Sequence, residues 1–200
     1  GENRAENLRF PNYELDAAKP VINRALLLDL GDWVPYKKGQ PVRFHVMDRD
    51  GRGVRSLLIQ RGGEVVEEIP LEGTGVHERK FDVCGDYTAR VMMADGSESQ
   101  ACEFAVCDLE LKLPPGGAPL SKDWEVRFGS DNMDVIAVYL YNEGDSYGRH
   151  PLFVSAEQRE RGVFPVPAGL LKKPGNLQVW LIGEHPLGRL KERRDVRLAD

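Results

Sequence analysis

From Arg24 onward the chain is built of short apolar stretches broken by turn residues every eight to twelve positions. That spacing suits antiparallel strands joined by tight turns and leaves little room for helices of ordinary length. In the first half, strands are expected at Ala25–Leu30, Val42–Met47, Val54–Gln60, Glu64–Ile69, Val76–Val83, Tyr87–Met93 and Gln100–Val106. Asp50-Gly51, Gly62-Gly63 and Asp95-Gly96 supply residues that tolerate positive φ between them.

The densest Pro/Gly stretch, Leu113-Pro114-Pro115-Gly116-Gly117-Ala118-Pro119, suits no sheet interior and marks the expected boundary. Beyond it the pattern restarts, with strands at Trp124–Phe128, Val135–Tyr141, Leu152–Ser155, Val163–Val166, Leu177–Ile182 and Leu190–Leu198, and at most one helical turn in Pro167–Gly175. The 200 residues thus divide into an N-terminal arm (1–19), a first sandwich (20–112), a linker (113–119) and a second sandwich (120–200). Each half is long enough to close a core without staples.

A two-residue turn at Asp95-Gly96 would pair Tyr87 with Phe104 and Ala89 with Cys102, putting these side chains with Val91, Met93 and Val106 on the core face. Cys84 then faces Cys107 on the outer side, where an oxidising compartment would join them and a reducing one would leave three thiols. Cys102 is expected as a buried thiol.

The formal charge is −5, and the first 112 residues carry 15 basic and 20 acidic side chains against 12 of each afterwards. Neither half has the positive field that binding to phosphate backbones requires, so nucleic acid is not an expected partner. The basic cluster of Arg189, Lys191, Arg193, Arg194 and Arg197 reads as the solvated face of a final strand, with a phosphate or anionic-glycan site as the alternative. No apolar run approaches the ~20 residues that span a bilayer as a helix, so no membrane insertion is expected. The chain begins Gly1-Glu2-Asn3, which suits a processed N-terminus and leads to the expectation of an extracytoplasmic or cell-surface setting, with a virion as the alternative.

No catalytic constellation emerges. His45, His77, His150 and His185 are far apart in sequence, no Gly-x-Ser-x-Gly elbow exists, and Ser130-Asp131-Asn132 reads as a turn. Asp48-Arg49-Asp50-Gly51 begins like a calcium loop, but its glycine comes too early. Convergence of Asp131, Asn132, Asp134 and Asp145 on calcium is a minor alternative, and no metal or cofactor is expected. Glu67-Glu68 point to opposite faces of a strand and cannot act as a glycosidase pair. Aromatic residues in loops and on outward strand positions are the better candidates for contact with a partner: Trp33, Tyr36, Tyr139, Tyr141, Tyr147 and Trp180.

Gly85-Asp86-Tyr87-Thr88-Ala89-Arg90-Val91, followed by Asp95-Gly96 and Cys102-Glu103-Phe104-Ala105-Val106, resembles the last hairpin of bacterial immunoglobulin-like domains. No Cys lies two residues after Tyr87 and no Trp marks the third strand, so antibody-type domains are not implied. Val166-Pro167 and Leu171-Lys172-Lys173-Pro174-Gly175-Asn176-Leu177-Gln178-Val179-Trp180 are similar to sandwich domains in tail or baseplate proteins of phages from gut bacteria. The expectation is an all-β chain of two tandem immunoglobulin-like antiparallel β-sandwiches. Its expected role is that of a non-enzymatic binding, adhesion or spacer module with a protein or glycan partner. A phage structural role and a carbohydrate-binding accessory module are the alternatives.

Overall fold

The computed structural model describes residues 26–28, 35–142 and 150–199; the arm 1–19, Trp33, Asp145 and Tyr147 lie outside them. The first half forms β1 (Leu26–Leu28), β2 (Tyr36–Lys37), β3 (Pro41–Val46), β4 (Val54–Arg61), β5 (Glu64–Pro70), β6 (Gly75–Lys80), β7 (Gly85–Met93) and β8 (Cys102–Lys112). The second forms β9 (Ala118–Pro119), β10 (Trp124–Asp131), β11 (Asp134–Asn142), β12 (His150–Phe153), α1 (Ala156–Arg161), β13 (Val163–Val166), β14 (Gly175–His185) and β15 (Gly188–Ala199). These make two tandem immunoglobulin-like sandwiches, antiparallel apart from the short parallel pairings β2–β8 and β9–β15.

A three-stranded sheet, β1-β3-β6, covers the first core, and a five-stranded sheet, β12-β11-β14-β15-β9, covers the second. Between them runs one sheet in the order β13-β10-β8-β7-β4-β5, with β2 also on β8. β8 is the strand common to both units. Its residues up to Val106 pack into the first core, whereas Leu109 and Leu111 pack into the second. The core therefore changes within an unbroken strand, and the Pro/Gly stretch expected as a linker lies past that point, with Ala118-Pro119 paired to Leu198-Ala199. β8 outruns its expected end because Leu109 and Leu111 continue the period-2 alternation with exposed Glu110 and Lys112.

Aromatic rings fill the first core. Phe104 stacks on Tyr87 at 5.2 Å and meets Phe81, Phe44 and Tyr36 at 5.4, 5.7 and 6.1 Å between centroids. Tyr87 Oη donates to the Val83 carbonyl at 2.7 Å, a tyrosine-corner bond that ties the chain entering β7 to the strand itself.

The expected pairs Tyr87/Phe104 and Ala89/Cys102 form, although the turn differs from the one used to derive them. Met93 N–H donates to Ser97 O, so the loop is three residues long with Gly96 at φ +85°. An irregular segment before Cys102 then restores the register. A helix stands where none was expected. Ser155 accepts from the Gln158 N–H while the Gln158 side chain accepts from the Ser155 N–H, so a capping box starts α1, and Gly162 at φ 65° stops it. No helical turn stands in Pro167–Gly175: turns and bends lead to Gly175, which opens β14.

Candidate binding face

The outward side of the five-stranded sheet is organised in ranks set by register. Tyr139 of β11 lies opposite Trp180 of β14, which lies opposite Arg193 of β15. One rank along the strands, Phe153, Ala137, Ile182 and Lys191 are in line; one rank the other way come Tyr141, Gln178 and Asp195. Alternation along each strand explains this. Val138, Leu140, Val179 and Leu181 enter the second core, so their neighbours must point out. Ile182 and Ala137 are buried without belonging to that core, because the surrounding large side chains cover them from outside.

Among the described residues, Tyr139, Tyr141, Gln178, Trp180, Ile182, Arg189 and Lys191 line an open groove of about 620 Å³ on this face. The indole is fixed in place. Its Nε1–H donates to Gln178 Oε1 at 3.3 Å, and the Arg193 guanidinium lies 5.5 Å from its ring centre while also binding Asp195. Phe153 stands at the rim, 80% exposed, an unusual degree of exposure for a ring of that size.

Three of the six expected contact residues thus come together here: Tyr139, Tyr141 and Trp180. Tyr36 does not. It is fully buried, edge-on to Phe104, because β2 lies against β8 and turns its ring into the first core. Trp33 and Tyr147 lie outside the described residues. Sequence reasoning missed Phe153, Gln178 and Lys191 as members of the face. A pairing of the Val135–Tyr141 and Leu177–Ile182 strands would have placed Gln178 beside the tyrosines, but the strand order was not deducible from sequence.

The joint between the sandwiches forms a second polar cluster. Asn132, at φ 57° in the β10–β11 turn, donates from Nδ2 to Asp86 Oδ1 at 3.0 Å and to the Val106 carbonyl at 3.3 Å. His185 Nδ1 accepts from the Leu187 N–H, which leaves Nε2–H to donate to Asp86 Oδ1 at 2.8 Å. The Asn132 bond, assisted by His185, holds the Asp86 carboxyl below the usual carboxylate range. Lys37 Nζ and Glu192 close the same joint at 2.6 Å. Among the described residues, no three His, Cys, Asp or Glu side chains are grouped to hold a metal ion. The Asp48 carboxylate instead caps its own turn, accepting from the Arg52 and Gly53 N–H groups.

Cys84, Cys102 and Cys107 are all free thiols, so the expected Cys84–Cys107 bridge is absent from this structure. Nor is the pair on an open outer surface. The Asn132 turn covers Cys107, which is fully buried and donates from Sγ to the Asn132 carbonyl at 3.2 Å. Cys102 is half-buried against the first core rather than sealed inside it. Burial, with Asp131 alongside, pushes the Cys84 thiol up to about 11, and burial, with Cys84 and Asp86 nearby, pushes Cys107 up to about 12. Exchange and oxidation proceed through the thiolate, so the raised values slow both groups at neutral pH. Iodoacetamide at pH 7.5 is expected to label Cys84 and Cys107 in the folded protein about tenfold or more slower than in urea-unfolded chain. Equal rates by peptide mass mapping would contradict these environments.

A scan against protein-family models and a search of curated proteins each found no match. Solved structures are similar at low identity. The fibronectin(III)-like modules of Clostridium thermocellum CbhA are 13% identical over 86% of this chain and 92% of theirs, with a TM-score of 0.32. The Bacteroides ovatus mixed-linkage glucan utilization locus protein SGBP-B, in complex with a mixed-linkage heptasaccharide, is 14% identical over 90% of this chain and 48% of its own, with a TM-score of 0.31. Three N-terminal domains of the bacteriophage RB49 outer capsid protein Hoc are 12% identical over 87% and 59%, with a TM-score of 0.29. At this level of likeness they carry no argument about what this chain binds.

Proposed function

We propose that this chain is a non-catalytic binding module that takes a glycan on the outer face of its second sandwich. The observation that carries the reading is the cross-strand pair Tyr139/Trp180, fixed in the wall of a groove that also presents Tyr141, Gln178 and Lys191. A pyranose ring has an apolar C–H face and a rim of hydroxyls, and this groove offers aromatic surface with polar groups around it. Pinning by Gln178 and Arg193 means little side-chain entropy is lost when a ligand stacks on the indole. An extracytoplasmic setting, where glycans are displayed, belongs to the same proposal.

A glycan array with the intact protein tests it. Trp180→Ala and Tyr139→Ala are each expected to lower the affinity for any glycan bound by about tenfold to a hundredfold, with an unchanged far-UV circular dichroism spectrum. Binding that survives both substitutions, or no bound glycan at all, would sink the reading.

A further inference from the structure

The groove's charges are unevenly compensated. Arg189 donates from Nε and Nη2 to Glu184 Oε1 at 3.2 and 3.0 Å, and Arg193 makes a two-point contact with Asp195 at 2.9 and 3.0 Å. Each guanidinium is thereby neutralised in place. Lys191, on the outward side of β15 between them, has no carboxylate or other hydrogen-bonding partner among the described residues. It lines the groove, and no carboxylate is among the described residues that do so. Among the described residues, the aromatic face thus has at its edge an ammonium that no carboxylate compensates.

Register fixes the separation. Lys191 lies opposite Ile182, two residues along β14 from Trp180 on the same side of the sheet. That is one rank, roughly 7 Å along the strand. Ile182, between them, is buried and lines the groove, so it forms part of the floor from the indole to the lysine stem. A sugar ring stacked at the Tyr139/Trp180 rank would hold a substituent on its ring edge over Ile182, within reach of the flexible lysine stem.

We infer that the groove selects an acidic glycan: a hexuronate residue whose ring packs on the Tyr139/Trp180 rank while its carboxylate is bound by the Lys191 ammonium. This rests on the glycan-binding reading above and names the class of sugar. The carboxylate of a hexuronate is attached directly to the ring. An ester sulfate stands one atom further out. Lysine, a strongly hydrated point charge, attracts such an anion without the planar two-point geometry that the neighbouring arginines have already given to Glu184 and Asp195.

The experiment titrates the intact protein by calorimetry with hexasaccharides of galacturonate, mannuronate and glucuronate. Each is compared with its own methyl ester, which keeps the ring and removes the charge, and with a sulfated neutral hexasaccharide. At least one free acid is expected to bind about tenfold or more tightly than its ester. Lys191→Gln should erase that preference, so that free acid and ester bind with equal affinity, and Lys191→Arg should restore part of it. Trp180→Ala should weaken acid and ester alike. Equal affinity for acid and ester, tighter binding of the sulfated sugar, a preference that survives Lys191→Gln, or binding of neutral array glycans alone would overturn the acidic-sugar inference and leave the glycan reading standing. Loss of binding to every glycan on the array would instead remove the reading beneath it.

Discussion

Replacing Phe104 with alanine is expected to destabilise the protein by about 3–5 kcal/mol, the usual cost of removing a buried aromatic ring from a packed core. Phe104 is 2% exposed and is the ring at which Tyr36, Phe44, Phe81 and Tyr87 meet, so neither backbone nor neighbours can easily fill the space. For a chain of this length the loss corresponds to a fall in Tm of about 6–20 °C. The shared strand gives the experiment a second readout. Trp124 lies in the second core and Trp180 on the second sandwich's outer face, while Phe104 belongs to the first core through β8. If β8 couples the two units, tryptophan emission, read in a Trp33→Phe background so that Trp124 and Trp180 alone report, and far-UV circular dichroism should lose their midpoints together in Phe104→Ala. A shift below about 0.5 kcal/mol, within the range of ordinary surface changes, would contradict the packing described. An unmoved tryptophan transition beside a shifted dichroism transition would contradict the coupling.

Gly162→Val is expected to cost at least about 2 kcal/mol, for two separate reasons. Gly162 ends α1 at φ 65° and ψ 30°, a conformation costly for a β-branched residue. Its carbonyl also accepts from Phe128 N–H at 2.9 Å, and that approach would leave any Cβ 2.7 Å from the Phe128 carbonyl oxygen. The obstacle is backbone in a sheet, which cannot rotate away. Comparing Gly162→Ala with Gly162→Asn in urea denaturation separates the two causes, since asparagine tolerates the left-handed region but carries the same Cβ. Asparagine as costly as alanine points to the overlap; asparagine much cheaper points to the backbone. An alanine variant within about 0.5 kcal/mol of the parent would exclude both.

The strands were legible because their cause is local. Val163–Val166 begins and ends where its alternation does, and Tyr87 and Phe104 pair on the core face as their alternation predicts, although the turn between them is not the two-residue one. Features that depend on what packs against a segment were not legible. Tyr36 reads as a loop aromatic until β2 is seen lying parallel to β8, a contact spanning some seventy residues of sequence. Cys107 reads as an outward thiol until the Asn132 turn covers it. The α1 helix carried a signal that went unused, since Ser155 and Gln158 have capping-box spacing. The candidate face was legible in part. Outward aromatics could be picked out strand by strand, but only the order β12-β11-β14-β15 puts Tyr139 beside Trp180 and brings Lys191 to the same groove.

A chain that enters its second core without leaving the strand of its first has no tether whose slack could be used to search. Flexible connections let a pair of contact surfaces adapt to many spacings at a modest effective concentration for each. Here the Tyr139/Trp180 face is held to the first sandwich by β8, by Asp86 with Asn132 and His185, and by Lys37 with Glu192. Any array built on the first sandwich would therefore present these faces at a set pitch, and the proposed glycan binding would then carry high avidity for repeats that match that pitch and almost none for those that do not.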